Sequence, residues 1–189
     1  MEWLKKYENK LGVRYKTFHK LFSIAIDREL KNFVETGTSR GKDKFYYLRP
    51  KVNWKDGMST ILFAEYVKLN KGQLWTCDID AKNIHNASLF LKDFNLHANL
   101  IVSDSLKFLE DFNETIDVLY LDSHDGNLPG ANEHQLREAQ LSIDKMNSNG
   151  LIMLDDKGQK TELSIPFLIS EGWEIILETE NQVIFQKAD

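Results

Sequence analysis

Five short, apolar, β-rich runs in this chain close on carboxylates, and longer helical stretches lie between them. The first, NFVETGT over residues 32–38, carries Glu35 and turns at Gly37; LWTCDID closes on Asp78 and Asp80, LIVSD on Asp104, DVLYLD on Asp122, and LIMLDD on Asp155 and Asp156. Continuous apolar runs are what strands buried on both faces look like, and strands alternating with helices make right-handed crossovers into a parallel sheet. All strands of such a sheet leave by one edge, and ligands bind in the crevice outside that edge. The pattern therefore predicts a row of acidic side chains along the ligand-binding rim of a single sheet.

Helical spacing marks residues 2–10 and 14–30, the second segment carrying Tyr15, Phe18, Leu21, Phe22, Ala25 and Ile26 on one face. Further helices are predicted over 58–70, 81–94, 105–112, 132–146 and 161–171, and strands over 32–38, 73–79, 98–103, 116–122 and 150–155. The chain ends differently. WEIILET (173–179) and QVIFQK (182–187) are separated only by Glu180 and Asn181, too little for a crossover helix, so this pair must be antiparallel. The expected class is α/β: a Rossmann-like, doubly wound, mostly parallel seven-stranded sheet with an antiparallel C-terminal hairpin strand and N-terminal helices. Residues 1–31 supply those helices within the same domain, and residues 32–189 form the ligand-binding domain with a loop insertion at 40–57. That loop, RGKDKFYYLRPKVNWKDG, far exceeds the roughly two to six residues usual between a strand and its helix, so a lid over the site is expected.

The formal net charge of -5 gives no general attraction to a phosphate backbone or an anionic bilayer. The one basic cluster, Lys5, Lys6, Lys10, Arg14, Lys16 and Lys20, reads as a solvated helix face. No run approaches the ~18 apolar residues of a membrane span. MEWLKKYENK has no apolar signal core, and the single Cys77 sits inside an apolar strand, unable to form an internal disulfide. These features set the expectations: no nucleic-acid partner, no membrane partner and a cytoplasmic location, with a homodimer left open.

The order ETGTSRG, DGMST opening a helix, TCDID, VSDS, IDVLYLDSHD, NGLIMLDD and a terminal hairpin resembles the class I S-adenosylmethionine-dependent methyltransferases over roughly residues 32–187. Within them it is most similar to the small-molecule O-methyltransferase and cephalosporin-hydroxylase-like group, whose fourth strand ends in Asp with a following His and whose fifth ends in paired Asp. The interruption between Gly41 and Gly57 departs from that pattern.

The resemblance implies S-adenosylmethionine as cofactor, whose ammonium, carboxylate and ribose diol need acceptors and open backbone amides. Asp78 is the expected ribose ligand, with Asp80 second. Glu35, Gly37, Thr38 and Ser39 form the turn under the methionine moiety, Ser59 and Thr60 offer amides at the next helix start, and Asp104 with Ser105 meets the adenine. Each lone Asp also reads as a helix N-cap. Carboxylates ending adjacent strands can converge, so Asp122, Asp155 and Asp156 form a candidate site for Mg2+, Mn2+ or Ca2+, where the catechol-type relatives carry Asp, Asp and Asn; the alternative is metal-free, with Asp122 orienting the methionine ammonium of the cofactor and Asp155 capping the next segment. His124, Asp122 and Lys157 are the candidate catalytic residues, with His134 a further nitrogen near the site. Two other classes compete: a dinucleotide-using oxidoreductase, disfavoured because GTSRGKDK lacks the G-x-G-x-x-G spacing, and a non-catalytic cofactor-binding relative.

Overall fold

The computed structural model describes residues 1–42, 50–54 and 58–188. Seven strands form one sheet: β1 (Asn32–Thr36), β2 (Gln73–Asp78), β3 (Asn99–Val102), β4 (Ile116–Leu121), β5 (Met146–Leu154), β6 (Trp173–Glu178) and β7 (Val183–Lys187). Their order is β3-β2-β1-β4-β5-β7-β6. The first five pair in parallel, and β7 runs antiparallel to both β5 and β6. Thr179 donates its amide to the Gln182 carbonyl at 2.9 Å, closing the hairpin around the two residues expected to form its turn.

Alternation along the strands supplies two cores. Phe33, Val118, Tyr120, Leu151 and Met153 face helices α1 (Glu2–Lys5), α2 (Glu8–Leu11), α3 (Tyr15–Asp27), α4 (Ser59–Asn70) and α5 (Ala81–Asp93). Val34, Leu119, Leu121, Ile152 and Leu154 face α6 (Ser105–Asp111), α7 (Ala131–Ser142) and α8 (Ser164–Ser170). The first core is an aromatic stack: Tyr66 lies 4.7 Å from Phe33 and 5.2 Å from Phe22, and Phe63 lies 5.3 Å from Tyr120. On α3 the expected stripe packs through Phe18, Leu21, Phe22 and Ala25, while Ile26 stays exposed.

Three element expectations need correction. Residues 2–10 make two short helices rather than one, broken at Lys6 and Tyr7, where the Tyr7 ring turns inward and its hydroxyl donates to Glu65 at 2.6 Å. The helix expected over 132–146 stops at Ser142, because MNSNG favours the extended chain that begins β5 early and carries an irregularity in its pairing with β4. The helix expected over 161–171 is a 3-10 turn, Gln159–Thr161, followed by α8. Residues 43–49 and 55–57, on which most of the expected lid falls, lie outside the described residues. The flanks of the insertion close on each other through an antiparallel bridge between Lys42 and Lys51. Trp54 stacks 4.8 Å from Tyr7.

The turn after β1 is held from below. Thr60 donates its hydroxyl to Glu35 Oε2 at 2.7 Å and accepts from the Ser39 amide at 2.9 Å, and Thr76 donates to the Gly37 carbonyl at 3.0 Å. Gly37 adopts φ 81°, and a Cβ there would stand 2.4 Å from the Asp122 carbonyl oxygen. Only glycine permits this approach. Gly37→Ala should therefore cost about 2–4 kcal/mol in chemical denaturation; a loss within ~0.5 kcal/mol would contradict the packing.

Glu35 is fully buried, and burial lifts its carboxyl from 4.5 to about 7, against the opposing pull of its hydroxyl donors. The unfolded chain gives up this proton first, so native stability falls as pH rises from about 4.5 to 7. Glu35→Gln should flatten that fall and stabilise the fold by roughly 1–3 kcal/mol at pH 8, read from melting curves across the interval. An undiminished pH slope in the variant would refute the assignment.

Candidate functional site

Two clefts open along the carboxyl edge of the sheet and meet beside Asp122. One, of about 460 Å³, is lined by Gly37, Thr38 and Ser59 on one side and by Asp78, Asp104 and His124 among its other walls. The second, of about 580 Å³, is walled by Arg14, Asp155, Asp156, Lys157 and Lys160. Arg40, Asp122 and Asp125 line both. Arg40 grips Asp125 with two hydrogen bonds, 3.2 and 2.9 Å, and this pair holds the Asp125 carboxyl below the usual range.

In the first cleft, Asp78 leaves β2 and accepts from the Asp80 amide at 2.8 Å and from Asn83 at 3.2 and 3.1 Å. Burial raises its pKa, with those donors opposing. Asp80, the second choice for the ribose, caps α5 by accepting from the Lys82 amide at 2.8 Å and lines the same cleft. Asp104 caps α6, accepting from the Leu106 and Lys107 amides at 2.9 and 3.3 Å, while still lining the cleft. Ser105 lies beneath, bonded at 2.8 Å to His134 Nε2, and Ser123 donates to Glu138 at 2.6 Å. The Glu138 carboxylate, 3.7 Å from His134 Nε2, raises the His134 pKa against the effect of burial. His124 packs 5.2 Å from the His134 ring, its Nε2 buried and without a hydrogen bond among the described residues.

The structure thus brings Gly37, Thr38, Ser59, Asp78, Asp104 and Asp122 around one cleft. Glu35, Ser39 and Thr60 are buried beneath the turn and brace it instead of lining the cleft.

At the junction, Asp122 follows β4, and Asp155 and Asp156 follow β5. The Lys160 side chain, 1% exposed, lies among them, with Nζ 3.1 Å from Asp122 and 3.5 Å from Asp156. Burial lowers the lysine pKa, but the surrounding carboxylates outweigh it and the net shift is upward, so the ammonium is retained. Tyr120 donates to Asp155 Oδ2 at 2.7 Å. The Arg14 guanidinium is likewise raised by Asp155, Asp122 and Asp156 against its own desolvation. Asp122 is pushed well above the usual carboxylate range, chiefly by desolvation and then by Asp155, although 27% of its side chain remains exposed.

The expected divalent-ion site does not fit this arrangement. Among the described residues no three His, Cys, Asp or Glu side chains converge as a metal-holding group. The place between the carboxylates of Asp122 and Asp156 is taken by the Lys160 ammonium, and Asp155 is bonded to a phenol. Lys157 lines the second cleft, but its ammonium pairs with Glu178 at 2.6 Å.

Arg14, Arg40, Asn83, Tyr120, Asp125 and Lys160 escaped the sequence reading. Arg14 sat in a basic run indistinguishable from a solvated face. Lys160, four residues after Asp156, offered the only signal, an i,i+4 acid–base spacing.

No helix among the described residues is long and apolar enough to cross a membrane. No curated protein matches the chain. Among solved structures, the SAH-bound methyltransferase PaMTH1 of Podospora anserina is similar over 100% of this chain and 86% of its own, at 13% identity and a TM-score of 0.65. A candidate caffeoyl-CoA O-methyltransferase from Staphylococcus aureus aligns over 98% of this chain and 92% of its own, at 10% identity and 0.65. An rRNA methylase from Streptococcus thermophilus aligns over 93% and 96%, at 15% and 0.60. At these identities the likeness establishes the Rossmann-like methyltransferase fold. The model of the methyltransferase-domain family matches residues 54–157, more than half of the sequence, and the chain belongs to that family.

Proposed function

We propose that this chain transfers a methyl group from S-adenosylmethionine to an oxygen of a small, polar, hydroxyl-bearing acceptor. The observation that carries the reading is the meeting of the two clefts at Asp122: one has the glycine turn and strand-end carboxylates that suit a nucleoside, the other is walled by charged side chains.

In this reading Asp78 accepts the ribose hydroxyls, the Gly37–Thr38 turn and the start of α4 at Ser59 face the methionine moiety, and Asp104 with Ser105 borders the adenine. Gly37 supports the fit by bringing the β1 turn against the Asp122 backbone, so that the turn and the strand-end carboxylates wall the same cleft. When bound, the cofactor supplies a methyl group already activated on a sulfonium, so that the acceptor oxygen bonds to carbon while the carbon–sulfur electron pair returns to sulfur. The chain aligns the acceptor and removes its proton. Asp122, with its raised pKa and its place on both clefts, is the group best suited to take that proton, and His124 is the second choice. The second cleft sets Arg14, Arg40, Lys157 and Lys160 against Asp122, Asp125, Asp155 and Asp156, a balanced lining with no net pull on a phosphate backbone, which supports a small polar molecule against a nucleic acid.

Calorimetry with S-adenosylhomocysteine tests the cofactor half. The wild-type chain should bind it and give no heat with NAD. Asp78→Ala should weaken binding by at least ~10-fold, the expected cost of losing charge-assisted hydrogen bonds, with the melting temperature little changed. Unaltered affinity in the variant would remove Asp78 from the site, and heat with NAD alone would favour the oxidoreductase.

A further inference from the structure

The carboxylate cluster around Asp122 already holds cations from within the chain. Asp155 is 2% exposed, its Oδ2 accepts from Tyr120, and its Oδ1 is buried without a hydrogen bond. Asp156 is held at φ 53°, which turns the chain sharply after β5. The 3-10 turn Gln159–Thr161 then returns Lys160 beneath the same carboxylates, where its side chain is closed off from solvent on every side but the cleft it lines. A second fixed cation, Arg14, feels all three carboxylates from the N-terminal side. Three acidic side chains therefore face two cations. Adding a divalent ion would place two further positive charges beside the Lys160 ammonium, which is buried and bonded to Asp122 and Asp156, and near the Arg14 guanidinium that lines the same cleft.

We propose that Lys160 is the resident cation of this site: its ammonium stands between the strand-end carboxylates where a divalent ion would otherwise bind, and it presents an N–H donor to the acceptor oxygen without metal. An ammonium has three donors, and among the described residues Asp122 and Asp156 take two. The third remains for a ligand in the second cleft, next to the carboxylate assigned the acceptor's proton. The ammonium thereby does two things a metal ion would do: it offsets the charge of Asp122 and it fixes an oxygen beside it. Lys160 is a positioning residue, since proton removal stays with Asp122. This inference rests on the methyl-transfer reading for the identity of the acceptor oxygen, whereas the claim about the cation does not depend on it.

Manganese is the probe, followed by the electron paramagnetic resonance signal of the free ion, with S-adenosylhomocysteine calorimetry run on the same samples. Wild-type protein at millimolar Mn2+ should leave that signal undiminished. Lys160→Ala, which strips the ammonium from the carboxylates, should bind Mn2+ at least tenfold more tightly than wild type, and the added change Asp155→Asn should abolish the gain. Lys160→Arg should behave as wild type. If Lys160→Ala does not fold, Lys160→Gln keeps the length and a donor without the charge, and should show the same gain. The proposal fails if wild type binds Mn2+ in a manner lost on Asp122→Asn, or if the folded uncharged variants bind it no better than wild type. Loss of S-adenosylhomocysteine binding by the wild-type chain would overturn the cofactor reading alone and leave the ion titration intact.

Discussion

The contact on which this architecture turns is between the glycine after β1 and the carbonyl at the end of β4. These strands are neighbours at the centre of the sheet, yet their crossovers leave in opposite directions, β1 toward β2 and β4 toward β5. A parallel sheet opens a crevice where its winding reverses, because the two loops part there instead of packing on one another. Gly37 lets the loops part late: its missing side chain brings the β1 turn against Asp122, and the Glu35–Thr60–Ser39 hydrogen bonds hold the turn at that height. Both clefts begin at this point, which is why Asp122 lines each of them.

Charge balance decides what the crevice can hold. An ion pair taken out of water is costly unless it is well bonded, and removing one partner leaves a buried charge at about 3–5 kcal/mol. The three carboxylates after β4 and β5 therefore need fixed counter-charges in the folded state, and Lys160 and Arg14 come from segments distant in sequence, one after β5 and one before α3. The N-terminal helices thus do more than cover the aromatic core. They deliver a guanidinium to the wall of the second cleft.

The strand ends were legible because burial on both faces and a shared exit edge leave a pattern within each short segment. The terminal hairpin was legible from two intervening residues. What could not be read locally was which of several acids would face the crevice. Asp80 and Asp104 satisfy helix amides, as short polar side chains before helices do, and both also stand on the wall of the first cleft beside Asp78. The metal reading meets a related limit: converging carboxylates were evident from strand order, but the lysine that stands between two of them comes from a 3-10 turn just ahead of the helix expected over 161–171. Arg14 and Arg40 were hidden because a cation on a helix face and a cation in an insertion look alike until their partners are known.

The Arg40–Asp125 pair gives the two clefts a common wall, and this has consequences for how they fill. Arg40 belongs to the loop after β1 and Asp125 to the loop after β4, so their paired hydrogen bonds tie together the two segments that the reversal of winding separates. A planar guanidinium held by both carboxylate oxygens has little freedom to shift without losing both bonds. A ligand in one cleft that draws either partner toward itself moves the wall of the other. Both side chains are partly exposed, so the pair fixes the position of that shared wall without burying a charge.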